Sequence, residues 1–160
     1  MRNKNAIVEK IIAALAAELE GYARSARAAR EYAADEQSKA ENKYDTRGLE
    51  SSYLANGQSR QAAEVLHAME QYKSLTVREF APEEPINIGA VVELERKGER
   101  IAYFLGPSAG GTEIESEGGA VMVVTPQSPI GRQLVGRKRG ERLQNQFGAT
   151  ADCYVIVAVA

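Results

Sequence analysis

AIVEKIIAALAAELEGYARSARAAREYAA, residues 6–34, carries Val8, Ile12, Leu15, Leu19, Tyr22, Ala26, Ala29 and Ala33 at steps that alternate four and three. That alternation is a heptad seam, the pattern that holds one helix against another along its length. A second run repeats it through Ser51, Ala55, Gln58, Ala62, Val65, Met69, Tyr72 and Thr76. Folded back on the first, it pairs Val8 with Thr76, Ile12 with Tyr72, Leu15 with Met69, Leu19 with Val65, Tyr22 with Ala62, Ala26 with Gln58, Ala29 with Ala55 and Ala33 with Ser51. The apex of such a hairpin falls near Asn42. Large side chains sit at the base and small ones toward the apex, so the helices approach closely there and the tip is narrow. Each large apolar side chain at the base contributes roughly 1.5–3 kcal/mol on burial. The outer arm has few of them and is expected to be marginally stable. At about 1.5 Å per residue the arm from Val8 to Ala40 is on the order of 50 Å long.

The acidic residues at the apex decide what such an arm does. Glu41 and Asp45 stand four apart among Asp35, Glu36, Ser38, Lys39, Asn42, Lys43, Tyr44, Arg47 and Glu50. They share a face if the second helix starts before Glu41, and they flank the turn if it falls between them. Magnesium is bound through one or two carboxylates with its other positions left to water or phosphate. Two tip acids therefore complete a metal site that a partner supplies, and hold none alone. The competing reading is a spacer or dimerisation hairpin whose tip charges simply face water.

The helical pattern stops after Thr76. Residues 79–85 contain Pro82 and Pro85 and read as a linker, which divides a hairpin domain, 1–78, from a second domain, 86–160. In the second domain a strand from Ile88 to Arg96, a turn at Lys97 and Gly98, and a strand from Arg100 to Leu105 form a hairpin. Further strands are expected at Thr112–Ser116, Ala120–Val124, Glu141–Phe147 and Asp152–Val159, the last apolar enough to be central. Ser128 caps a short helix that starts at Pro129 and ends at Gly136. The fold class is α+β, a helical hairpin followed by a small strand-rich domain.

The stretch SPIGRQLVGRKRGE, residues 128–141, resembles the C-terminal domain of the Gre transcription elongation factors, which carry Ser-Pro, Gly, Arg, Leu and then Gly-Lys-x-x-Gly-Asp on an FKBP-like fold. Glu141 stands where that Asp is usual. Glu41 and Asn42 look like the Glu-Asn pair of the Gre coiled-coil tip, and the order of the domains agrees. The resemblance implies a bacterial transcription factor that binds RNA polymerase through its C-terminal domain, with Ser128, Pro129, Ile130, Gly131, Arg132, Gly136 and Lys138 as docking residues. It also implies a coiled-coil tip that enters the secondary channel, where Glu41 and Asp45 help hold an Mg2+ shared with the polymerase active site. A second metal stabilises the attacking oxygen and the charge building on phosphorus, so a backtracked transcript is cut. The chain is then no enzyme on its own, because the polymerase does the chemistry. Ser38 and Tyr44 occupy positions that are usually acidic in the family. This leaves a channel-binding regulator without cleavage activity as the alternative, and a prolyl-isomerase-like or generic binding module as the third reading. The third is disfavoured by the low aromatic content of 6%.

The remaining features set bounds. A 44% hydrophobic, 26% charged chain of 160 residues fits a soluble globular protein. Ala6–Leu19 is broken by Glu9, Lys10 and Glu18 and is neither a signal peptide nor a span, so a cytoplasmic address is expected. Cys153 lies in an apolar run and is expected to be buried and inert. No Cys/His cluster offers a zinc site. The single histidine, His67, falls off the seam and is expected to be exposed. Gly106–Gly111 lacks the ending of a phosphate loop and reads as a flexible connection. Arg132, Arg137, Lys138, Arg139 and Arg142 surround Glu141 in a nominally acidic chain. They suit an acidic protein surface better than nucleic acid, since no aromatic residues interleave to stack on bases. Arg24, Arg27 and Arg30 are read as solubilising, with nascent RNA as a further contact.

Overall fold

The structure, a computed structural model, describes residues 2–39, 47–144 and 153–160. Two helices open the chain, α1 (Lys4–Lys39) and α2 (Arg47–Lys73). Six strands follow, β1 (Val91–Arg96), β2 (Glu99–Leu105), β3 (Glu113–Ser116), β4 (Gly119–Val124), β5 (Arg142–Gln144) and β6 (Cys153–Val159), with α3 (Pro129–Leu134) between β4 and β5. This is an α+β protein. Its two compact units are Ala13–Glu70, and Met1–Ile12 with Gln71–Ala160. The division falls inside both long helices rather than at residues 79–85. Within residues 79–85 Phe80 is buried, in the same apolar cluster as Ile86, Leu94, Leu134 and Ile156, while the rest of the segment is exposed or half-buried. The helix ends at Lys73, well before the prolines at 82 and 85, and the apolar side chains of Phe80 and Ile86 on either side of Pro82 and Pro85 cover a sheet face.

In the helical unit the burial of α1 follows the seam. Leu15 is buried, Leu19, Ala26 and Ala29 are half-buried between exposed neighbours, and Tyr22 is half-buried. On α2, Val65 is buried, and Gln58, Ala62 and Met69 are half-buried. Tyr22 and Ala26 line one cavity together with Ala62 and Gln58. Residues that the seam sets against each other thus line the same space between α1 and α2. The helix ends at Lys39 and Arg47 place the expected apex outside the described residues.

In the strand-rich unit the sheet order is β3-β4-β2-β1-β6-β5. The β1–β2 hairpin closes through Lys97 (φ 52°) and Gly98 (φ 83°), the two left-handed positions that a two-residue primed turn demands. β6 pairs with both β1 and β5 and is an interior strand, as its apolar run suggested. β4 lies parallel to β2 and antiparallel to β3. One sheet face is lined by the cluster of Phe80, Ile86, Val92, Leu94, Leu105, Val124, Leu134, Leu143 and Ile156. Toward the other, Tyr72 packs its ring 6.4 Å from that of Phe104 and donates from its hydroxyl to Ser108 O at 2.8 Å. The α1 turns that belong to this unit are tied down by basic side chains. Arg2 meets Glu93 at 3.2 Å and donates to Gly118 O and Gly119 O at 2.8 Å each, and Lys10 donates to Glu115 O at 2.6 Å.

Four expectations need correction. α2 ends at Lys73, so Thr76 lies beyond it and is exposed rather than paired with Val8. Ile7 and Ile11, off the seam, are more completely buried than Ile12 on it, because this part of α1 belongs to the strand-rich unit. Cys153 is exposed: it opens β6 opposite Gln144 of the outermost strand. The Gly106–Gly111 connection is pinned rather than loose. Gly106 N donates to Val124 O and Gly111 N to Val123 O, both at 2.8 Å, and a Cβ at Gly106 would lie 2.0 Å from the Tyr72 hydroxyl. Gly106 serves close approach, while Gly111 supplies a left-handed backbone (φ 92°). Of the strand expected at Glu141–Phe147, residues 142–144 form β5 and the rest lies outside the described residues.

Candidate docking site on the strand-rich unit

Glu41, Asn42, Tyr44 and Asp45 lie outside the described residues; Ser38 belongs to the last turn of α1. The site that can be built from the residues upward is the one around α3. Ser128 adopts an extended backbone (φ −67°, ψ 155°) and acts as N-cap, its Oγ accepting from Gly131 N at 3.0 Å while donating to Thr125 O at 2.8 Å. Pro129 takes the first helical position, where a missing N–H costs nothing. Gly131 is required by space: a Cβ there would stand 1.8 Å from Thr125 O and 2.9 Å from Ser128 Oγ. Gly136 (φ 81°) turns the chain out of the helix and donates to Ile86 O at 2.9 Å, while Ile86 N donates to Arg137 O at 2.8 Å. Leu134 is fully buried and Ile130 packs against the same cluster.

The basic run beyond α3 is ordered by its one acid. Glu141 accepts from Lys138 N at 3.0 Å through one carboxylate oxygen and pairs with Arg137 at 3.0 Å through the other. Arg137 also donates to Gln133 O at 3.1 Å. The longer Glu side chain thus closes this turn where the resemblance expects Asp, and it neutralises Arg137. Exposed cationic positions remain at Arg132, Lys138, Arg139 and Arg142. The expected docking residues therefore separate by role. Ser128, Gly131 and Gly136 build the helix and its exit, Ile130 anchors it, and Pro129, Arg132 and Lys138 are exposed and available to a partner. Val135, 41% exposed, joins them.

A second surface was not anticipated. Ile101 and Met122 are each 38% exposed, and the register places Ile101 beside Leu94 and Met122 beside Tyr103 on the sheet face that also carries the α3 cluster. Tyr103 and Tyr154 are half-buried there, and Arg96 lies over the Tyr154 ring at 5.0 Å. Burial pushes the Tyr103 phenol above its ordinary range, with Tyr154 adding to the shift. The signal was the period-two run Ile101, Tyr103, Leu105. Its outer members become a surface only once the covering segment is known to stop short of them.

Among the described residues no group of three His, Cys, Asp or Glu side chains could hold a metal, and no helix is long and apolar enough to cross a membrane. His67 is exposed on α2.

These parts define a class of protein: an α+β chain in which a long antiparallel helical hairpin accompanies a six-stranded unit with a capped, cation-rimmed helix. In structure the chain is similar to Gre-type transcription factors. It matches GreA factor homolog 1 (Gfh1) of Thermus thermophilus at 21% identity, over 93% of this chain and 94% of that one, with a TM-score of 0.39. It matches Thermus aquaticus Gfh1 at 23% identity, over 91% and 90%, with a TM-score of 0.41. It matches the transcription elongation factor GreA/GreB from Nitrosomonas europaea at 18% identity, over 73% and 94%, with a TM-score of 0.37. The sequence matches no protein-family model and no curated protein. Likeness at this level assigns no activity.

Proposed function

We propose that this chain is a bacterial transcription elongation factor of Gre type. In this reading it docks on RNA polymerase through the α3 surface and delivers the hairpin tip into the secondary channel. There Glu41, with Asp45, helps hold a catalytic Mg2+ shared with the polymerase, and a backtracked transcript is cut. The observation that carries the reading is the Ser128–Glu141 stretch. Its signature residues are consumed in building one rigid capped helix, which leaves Pro129, Arg132, Val135 and Lys138 outward as a compact apolar and cationic surface. A docking surface of fixed shape beside cations suits an acidic protein partner.

The second reading, a channel-binding regulator without cleavage, is favoured by Ser38 and Tyr44, which take usually acidic places at the tip. Purified protein added to stalled, backtracked elongation complexes separates the two. Release of short 3′ RNA fragments that Glu41→Ala abolishes supports cleavage stimulation. Binding that slows transcription without fragments supports the regulator. Absence of binding refutes both.

A further inference from the structure

Strands β2 and β4 part at one end. They pair from Ala102 and Val121 to Leu105 and Val124, whereas among the described residues Glu99–Ile101 pair only with β1 and Gly119 and Ala120 only with β3. Beside this gap lies an open cavity of about 460 Å3 whose lining includes Arg2, Glu93, Arg100, Ile101 and Glu117. One wall of it is built around a planar cation. The β3–β4 turn, with Gly118 at φ 94° and Gly119 at φ 105°, presents successive carbonyls to the Arg2 guanidinium. Gly118 O and Gly119 O each accept at 2.8 Å, Glu117 O lies at 3.5 Å, and the Glu93 carboxylate accepts from Nε at 3.2 Å. A guanidinium meets such a set with its fixed fork of donors, which a compact ammonium cannot match.

Three features make Arg2 a replaceable occupant. It precedes α1, which begins at Lys4, so no helical turn holds it in place. The cavity opens directly beside it. Carboxylates also outnumber guanidiniums around it. Arg100 is drawn to Glu95 at 2.9 Å and stands 4.0 Å from Glu93, and the Glu117 carboxylate makes no hydrogen bond or ion pair among the described residues. A second cation is therefore favoured here, and Ile101, 38% exposed, offers apolar surface to the stem that carries it.

We infer that the β3–β4 turn and Glu93 form an arginine receptor, filled in cis by Arg2 and open in trans to an arginine on a basic segment of a partner protein. The incoming guanidinium takes the carbonyls of Gly118 and Gly119 and the Glu93 carboxylate, its stem lies along Ile101, and the displaced Arg2 lifts away with the residues ahead of α1. Arg2 is thus an internal competitor that raises the threshold for binding. The inference rests on no part of the polymerase reading.

Titration of the full Arg2→Ala chain with N-acetyl-arginine amide at constant ionic strength, followed by the amide chemical shifts of Gly118 and Gly119, tests it. Saturable shifts with a Kd below about 10 mM are expected, with recovery of part of the thermal midpoint that Arg2→Ala loses. N-acetyl-lysine amide carries the same charge without the fork and should bind about tenfold more weakly or worse. The parent chain should bind the arginine probe about fivefold more weakly or worse than Arg2→Ala, because a tethered side chain competes at high effective concentration. Glu93→Gln added to Arg2→Ala should weaken binding about tenfold, since it removes the charge-assisted bond. Arg2→Gln, which keeps much of the stem, replaces Arg2→Ala if the smaller side chain leaves the chain unfolded. No saturable binding to the Arg2 variant, equal binding of the lysine probe, or equal affinity in parent and variant overturns the proposal.

Discussion

Replacing Gly131 with alanine tests the claim that the Ser128–Glu141 signature is architectural. The added Cβ would stand 1.8 Å from Thr125 O, 2.7 Å from Thr125 C and 2.9 Å from Ser128 Oγ, all closer than real Cβ atoms approach. Two of these three atoms are backbone, so relief requires a main-chain shift on the order of 1 Å, and overpacking of this kind costs about 1–3 kcal/mol. The shift also separates Gly131 N from Ser128 Oγ, and loss of such a cap adds about 1 kcal/mol. Alanine's better helix propensity returns somewhat less than 1 kcal/mol. The net loss is about 1–3 kcal/mol, or a fall in the thermal midpoint of roughly 2–12 °C for a protein of this size. The chain has no tryptophan and seven tyrosines, so urea unfolding followed by near-ultraviolet circular dichroism reports the packing of Tyr103 and Tyr154. Gly57→Ala is the matched control: Gly57 is exposed within α2, nothing lies within 4 Å of its Cβ position, and a gain of about 0.5–1 kcal/mol is expected. A Gly131→Ala protein within about 0.5 kcal/mol of the parent would refute the steric reasoning.

Tyr72→Phe removes the hydroxyl that donates to Ser108 O and should cost about 1–2 kcal/mol in urea titrations near neutral pH. The same phenol is held above its ordinary value of 10.0 by burial. Its contribution is complete below pH 10 and declines as pH rises beyond it, so the stability of the parent should drop more steeply than that of Tyr72→Phe from about pH 10 upward. Lys4 acts in the opposite sense: burial lowers its pKa, and the penalty of keeping its charge desolvated fades as pH rises through that lowered value, which Lys4→Met would remove from the pH profile. Arg2→Ala abandons Glu93 and the carbonyls of Gly118 and Gly119 and should destabilise by about 1–3 kcal/mol in the same assay. In polymerase-binding measurements, Arg132→Glu with Lys138→Glu should weaken binding at least tenfold and flatten its salt dependence, with the unfolding midpoint changed by less than about 0.5 kcal/mol.

Local chemistry was legible in the chain. The heptad burial of α1 beyond Leu15, the Lys97–Gly98 turn and the Ser128 cap each depend on side-chain spacing or on the backbone freedom of residues a few positions apart, so the sequence by itself determined them. What covers what was decided only by the tertiary structure. Ile7 and Ile11 are buried, Phe80 of the expected linker packs in the core, and Cys153 is exposed, although nothing in their neighbours distinguishes them. The same holds for β4, which sits parallel to β2, and for the surface of Ile101, Met122 and Tyr103, which strands β2 and β4 bring side by side. A heptad or a cap is satisfied by the chain's nearest residues. A sheet face is satisfied by whichever distant segment reaches it, and hydrophobic burial, being non-directional, leaves no local mark of which segment that is.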